Sequence, residues 1–471
     1  MDDALIGVDG IIEAKGLPSW LKPTVEALLD VNSHVMAKNA RRRDYFDGRV
    51  RVKEIGIDAI PDSVRVDVRC DWPRKAVMSV AERSVLDGFV FADDSEDEGL
   101  SREVRDNDLV SAYARHVPSQ LVHGCMCATV GISDKGMTYV RFHDAEECAM
   151  IWDVDAGRIG SALVVADSKR TDWSPLMPVP TKVNLHVPYG GVVFERADHN
   201  MWNAHVFEHP LDRPMAEAFT FQRDGRHPFG RSRITDAVMS TTDSVLRVKE
   251  YMEVAAAFYA APTRWMMGLT EEQFDSMKRS KWSAYIGSWV LGTMDDEGNV
   301  PKVGQFSPAS PQPYIDMLRF HATEFSGMTG VPLNSLGIVQ DNPSSAEAIQ
   351  AAREDICNVA ESLNESNRAS LRNVALMAMA VESNSTIDDL TEEQQSVMAH
   401  FKPTMTRSIS ETADAGLKIA QADEGFADTD VFYEMQGFDQ ATIERIGSGK
   451  RRAQASATAL QVLDAFRTRE E

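Results

Sequence analysis

From Ile234 to Tyr259 an apolar or small residue recurs at alternating steps of four and three: Ile234, Val238, Thr241, Val245, Val248, Met252, Ala255 and Tyr259. That period is one narrow stripe on an α-helix. Ser232 stands where an N-cap belongs, and Pro262 closes the run. A helix over 234–260 would span about 39 Å at 1.5 Å per residue. A rod of that kind cannot bury a stripe against itself. A second helix is expected over 310–330, opened by Ser310-Pro311 and stopped by Gly330-Val331-Pro332. It places Ile315, Leu318, Ala322 and Phe325 on one face. Between the two, 261–309 reads as a small α/β insert. It has a strand over 261–268, a capping box at Thr270-Glu271-Glu272-Gln273, and a hairpin of 286–292 with 303–306. Such an out-and-back spike packs against neighbouring copies, as in a ring, or folds onto its own chain as an ordinary helical domain.

The flanking sequence is of a different kind. A helix is expected over 20–45, ending in Arg41-Arg42-Arg43, where cations suit the negative end of the helix dipole. A second helix reads over 74–86. Asp93-Asp94-Ser95-Glu96-Asp97-Glu98-Gly99 reads as a solvated acidic loop. From about 120 the apolar period falls to two, which predicts strands over 120–130, 137–142, 148–152, 159–165, 183–187, 192–196 and 202–208. The three prolines in 173–180 read as a loop. After the second spike helix, Ser344-Ser345-Ala346-Glu347 opens another helix, with Ile349, Ala352, Ile356, Val359 and Leu363 on one face, running to about 380. The remainder, from 386, reads as mostly helical. The whole is an α+β chain.

Composition narrows the function classes. With 49 basic and 72 acidic residues the net charge is −23. A protein that grips DNA by bulk charge needs the opposite sign, because phosphate binding rests on displacing counterions. No run of about 18 apolar residues predicts a membrane helix, and the acidic start lacks a signal-peptide pattern. Five cysteines are too few and too scattered for a disulfide framework, which points to a reducing compartment.

Motifs for chemistry are mostly absent. No phosphate-binding Gly-rich loop, nucleophile elbow or His-Glu-x-x-His is present. The sharpest metal candidate is His123-Gly124-Cys125-Met126-Cys127 with Cys148 nearby. On one strand, His123, Cys125 and Cys127 would share a face that zinc accepts. A metal-dependent hydrolase built on His123, Cys125, Cys127 and Cys148 is therefore the alternative reading. Against it, small buried residues on the inner face of a sheet give the same pattern. No cofactor is expected, and no residue is expected to be catalytic.

A set of ordered landmarks resembles the portal proteins of tailed bacteriophages, of the long-tailed type. They are Tyr45-Phe46-Asp47-Gly48, His227-Pro228-Phe229-Gly230-Arg231-Ser232-Arg233-Ile234, Ser326-Gly327-Met328-Thr329-Gly330-Val331-Pro332, Asn342-Pro343-Ser344-Ser345-Ala346-Glu347-Ala348-Ile349, Phe401-Lys402-Pro403 and Ser410-Glu411-Thr412-Ala413-Asp414-Ala415. The resemblance implies a ring, usually of twelve subunits, at one vertex of the capsid, with double-stranded DNA passing through its channel. It implies a terminase as partner during packaging and a head-completion protein afterwards, with capsid and scaffolding proteins around the ring. It implies assembly in the host bacterial cytoplasm, a place in the virion, no membrane and no enzymatic role.

The domains the resemblance implies are a wing over 1–233, a first stem helix over 234–260, a clip over 261–309 and a second stem helix over 310–330. A tunnel loop and long wing helix cover 331–385, and the wing end and a helical crown cover 386–471. Asn334, Gln340, Asp341 and Asn342 would then line the channel. Val238, Val245, Val248 and Met252 would pack between subunits. Trp265, Trp282 and Trp289 of the clip would meet partners, since Trp is enriched at interfaces.

Overall fold

The computed structural model describes residues 8–52, 66–92, 98–133, 136–171, 174–198, 201–260, 264–269, 272, 275, 289–293, 302–305, 310–338, 351, 353–405, 409–423, 425–438, 442–443 and 445–453. The chain divides into two compact units, one of 1–43, 77–233 and 354–471, the other of 44–76 and 234–353. Helices and strands are mixed in an α+β arrangement. Among the described residues no helix is long and apolar enough to cross a membrane.

The helices α1 (Lys22–Phe46) and α2 (Trp72–Ala81) each run across a boundary between the units, and α2 leads to β1 (Leu86–Val90) of the first. Next come α3 (Glu98–Asp106), α4 (Leu109–His123), β2 (Cys125–Ile132) and β3 (Thr138–Asp144). Then β4 (Cys148–Asp153), β5 (Arg158–Thr171), β6 (Ser174–Val187), β7 (Gly190–Asp198) and β8 (Met201–Glu208) form an antiparallel meander in chain order. A second sheet has the order β3-β2-β9, with β9 at Ala216–Thr220. One face of the meander, carrying Leu163, Val183, Leu185, Val192 and Phe194, buries Val25 and Leu28 of α1. These strand residues sit at period two, so a single register satisfies the whole face.

Three expectations are corrected here. The segment expected as a strand from 120 is helix as far as His123. Gly124 then turns the chain at φ +105°, donating its N–H to Gln120 O at 2.8 Å, and the strand starts at Cys125. A residue with a Cβ would be strained there and would press on the backbone of Arg231 and Ser232. The proline-rich segment from 174 is not a loop but the first part of β6, with shifts of register against β5 that accommodate its prolines. The second helix ends at Ala81, and β1 begins at Leu86. The described C-terminal part is mostly helical, as expected, with one strand, Met398–Phe401 (β13), which pairs antiparallel with β1.

The second unit holds α5 (Asp236–Ala260), β10 (Arg264–Leu269), β11 (Trp289–Thr293), β12 (Lys302–Gln305) and α6 (Gln312–Thr329). The helices fall where the periodicity puts them. The N-cap does not: Ser232 instead donates to Val122 O at 2.5 Å, and Thr235 Oγ1 accepts from Val238 N at 3.3 Å. In the insert, the strands expected as a hairpin do not pair with each other. β10 lies between them, parallel to β11 and antiparallel to β12. In the first unit, α7 (Glu354–Glu382) is followed by α8 (Glu392–Gln395), β13, α9 (Ile409–Ala422) and α10 (Asp430–Met435). The buried stripe of α7 includes Ile356, Ala360 and Leu363, and Lys450-Arg451-Arg452 is helical.

Candidate assembly surface and side-chain clusters

The helix pair of the second unit is the candidate assembly element. Val245 and Leu246 of α5 are buried with Cys70. Val50, Val52, Val68, Trp72 and Leu318 pack on them. The rings of Trp72 and Phe325 lie 5.4 Å apart, and Tyr45 donates its hydroxyl to Asp243 Oδ1 at 2.7 Å. Lys249 Nζ donates to Arg69 O at 2.9 Å. Residues 50–52 and 68–72 thus cover part of α5 that the sequence reading left bare. Val238, Val245 and Val248 are buried within the single chain, and Met252 is half-buried. This corrects the expectation that the stripe is left for a neighbouring subunit. At Val245 the cover comes from Leu318 of α6 and from a segment nearly two hundred residues earlier, and the latter is a contact no local pattern announces.

The face left uncovered belongs to α6. Ala322 and Phe325 are buried, as the stripe predicts. Met317, Phe320 and Met328, at spacings of three and eight, stand exposed on its other side, Phe320 at 66%. Large apolar side chains aligned on one helix face lose water contact when covered, which favours association. Reading a single stripe on this helix missed them. The signal was available as apolar residues out of phase with that stripe.

In the insert, Trp265 is half-buried and lies over Gly304, where a Cβ would come 2.5 Å from its indole. Trp289 begins β11 opposite Arg264, and Trp282 lies outside the described residues. After α6, Leu333–Leu336 forms a short 3-10 turn with Leu336 buried and Asn334 exposed. Gln340, Asp341 and Asn342 lie outside the described residues.

The proposed metal ligands do not share a face. His123 ends α4, whereas Cys125 and Cys127 belong to β2. His123 Nε2 is 3.5 Å from Glu146 and 3.4 Å from Arg43 Nη2. Arg43 clamps Glu146 Oε2 through Nε and Nη2 at 2.9 and 2.6 Å, and reaches Asp144 at 3.3 Å. Arg42 Nη1 donates to His123 O at 2.9 Å. Burial alone would raise the Glu146 carboxyl. The hydrogen bonds from His123 and Arg43 outweigh it and hold the group down at about 2. Cys127 and Cys148 sit among Met150, Ala162 and Val164, and burial pushes the Cys125 thiol up. Among the described residues no cluster of three His, Cys, Asp or Glu can hold a metal ion. The hydrolase alternative finds no support. The cluster instead ties the end of α1 to the turn between β3 and β4.

The class these features define is a mixed α+β protein with a paired-helix unit, an apolar face on one helix, and no recognisable catalytic constellation among the described residues. The chain is 26% identical to the portal protein of Mycobacterium phage L5 over 339 residues, which is 69% of this chain and 67% of that one. It is 24% identical to the portal protein of Mycobacterium phage D29 over 353 residues, 72% and 70% of the two chains. Both matches are portal proteins of mycobacterial phages, the kind of protein that the sequence landmarks resemble. No protein-family model matches it. Among solved structures, it is similar to a chain from the neck of a native GTA particle computed with C12 symmetry (TM-score 0.41, 13% identity, 78% of this chain and 89% of that one). A chain from the neck of an empty GTA particle computed with C6 symmetry gives a TM-score of 0.37 at 12% identity, over 78% and 90%.

Proposed function

We propose that this chain is the portal subunit of a tailed phage. Copies of it close into a ring at one capsid vertex, and double-stranded DNA passes through the central channel. The observation that carries this reading is the relationship to two portal proteins across about seven-tenths of each chain. The uncovered α6 face supports a role in closing the ring. A closed ring covers every copy of one surface with a complementary surface of the next, and Met317, Phe320 and Met328 supply apolar area for such a contact.

In the same reading, α5 and α6 are the stem and the β10–β12 sheet is the clip, which meets a terminase during packaging and a head-completion protein afterwards. Trp265, Trp282 and Trp289 are the clip's anchors. The loop holding Asn334, Gln340, Asp341 and Asn342 lines the channel. A net charge of −23 per copy suits a conduit, since a wall that binds phosphates deeply would hold the DNA it has to pass.

Negative-stain imaging of the purified full-length chain tests the proposal. Rings with a central hole are expected. A monomer at every concentration tried, with no ring in the presence of capsid components, would overturn it.

A further inference from the structure

The first unit contains a cavity of about 270 Å³ bordered by β6, β7, the end of β8, the facing ends of β2 and β3, and the end of α7 with Asn384. β6 presents two faces of opposite character. Val183, Leu185 and Val187 point into the apolar core, while Asn184 and His186 point the other way, into the cavity. That second face is also removed from water: His186 is 2% exposed and Asn184 7%. Both ring nitrogens of His186 and Asn184 Oδ1 are buried without a hydrogen-bond partner, whereas the His209 ring donates to the backbone at Val187 and Gly190 and keeps a lone pair on its other side. Buried polar atoms are almost always satisfied in native proteins. Three such atoms on two neighbouring residues lining one cavity therefore point to a ligand.

The chemistry of the walls selects its class. Burial, with the nearby His143 and His209, holds the His186 imidazole down at about 3, and burial also lowers His209. Each ring is then neutral, with one lone pair to offer. Glu208 stands exposed at the rim, and no lysine or arginine lines the cavity. An anion finds no fixed positive charge here. A cationic donor finds Asn184 Oδ1, two imidazole lone pairs and a carboxylate. The Phe207 ring lies 6.3 Å from each imidazole and adds a π face. Val193, Met215 and Val381 supply apolar wall.

We propose that this cavity binds a small primary alkylammonium ion. Its N–H groups donate to Asn184 Oδ1 and to the lone pairs of His186 and His209, and its alkyl chain lies along Val193, Met215 and Val381. This proposal is independent of ring formation.

Titration calorimetry and thermal melting of the full chain with butylammonium at pH 8 test it, with butan-1-ol and butanoate as neutral and anionic matches. Saturable binding of butylammonium, with a rise in melting temperature, is expected, and none for the other two. Asn184→Leu and His186→Phe remove unpaired polar atoms and should each weaken binding about tenfold or more, the weight of one charge-assisted hydrogen bond. Glu208→Gln, an exposed change that leaves the fold intact, should weaken it severalfold. Absence of saturable binding, equal binding of butan-1-ol, or unchanged affinity in Glu208→Gln together with either cavity variant overturns the proposal.

Discussion

Gln120 of α4 and Asn367 of α7 exchange side-chain hydrogen bonds, Gln120 Nε2 to Asn367 Oδ1 at 2.7 Å and Asn367 Nδ2 to Gln120 Oε1 at 2.9 Å. Neither residue has measurable exposure. Asn367 Nδ2 also donates to Tyr113 Oη at 2.7 Å, and that hydroxyl meets Ser84 Oγ at 2.8 Å. The Tyr113 ring in turn packs edge-on to Phe142 and Phe401. A closed polar network thus sits inside an apolar core and fixes how α7 lies on α4.

Removing one member of that network strands the others. Asn367→Leu is expected to cost about 2 kcal/mol or more, since an orphaned buried amide loses its partners without regaining water. The double variant Gln120→Leu/Asn367→Leu should recover part of the loss. Denaturant unfolding of the three proteins measures this. An Asn367→Leu midpoint equal to wild type would mean the pair adds nothing.

The Arg43–Glu146 clamp gives stability a definite pH dependence. The folded carboxyl titrates at about 2, below its unfolded value of about 4.5. Its contribution is therefore complete above pH 4.5 and is lost as pH falls toward 2. Glu146→Gln should destabilise by about 1–2 kcal/mol at pH 7, allowing for partial exposure. The difference from wild type should shrink steadily between pH 4.5 and 2. A difference independent of pH across that range would contradict the clamp.

Glu217 has the opposite sign. Burial raises its carboxyl to about 7, against the lowering effect of the hydrogen bond from Asn373 at 3.2 Å and of nearby arginines. The unfolded chain gives up this proton first, so stability falls as pH rises from about 4.5 to 7. Glu217→Gln should raise the melting midpoint at pH 8 and leave it nearly unchanged at pH 4.5. Melting curves at the two pH values suffice, and equal shifts at both would refute the assignment.

Two substitutions in the helix pair should separate folding from assembly. Val245→Asp places a charge in the core formed with Cys70 and Leu246, where an unpaired charge costs several kcal/mol. It should unfold the second unit, seen as lost helicity. Phe320→Asp lies on the exposed face of α6 and should leave the circular dichroism spectrum unchanged while reducing ring formation in light scattering. Rings of wild-type yield from Phe320→Asp would move the subunit contact elsewhere.

Much of the helix pair was legible because its information is local. The period of 234–260, the Ser310-Pro311 start and the Gly330 stop each act within a few residues, and α5 and α6 appear where those signals place them. The alternation from β3 to β8 was legible for the same reason. The ends of elements were less so. At 120–124 the apolar run Leu121-Val122 suits helix or strand equally, and the buried partners of Gln120 keep it helical. The prolines in 174–180 read as a breaker, yet the β5–β6 pairing carries the strand through them by shifting register.

The sequence by itself determined the α+β class, the helix pair and the resemblance to portal proteins, because order and periodicity are written along the chain. Only the tertiary structure decided what covers what. It brought Val50, Val52, Val68, Cys70 and Trp72 onto α5, so that Val245 is buried within the single chain, and left Phe320 bare. It placed His123 on a helix end against Glu146, apart from the strand of Cys125 and Cys127. It also gathered Asn184, His186 and His209 at one cavity. A side chain's neighbours depend on contacts between distant segments, and such contacts minimise exposed apolar surface over the whole chain rather than within any window of it.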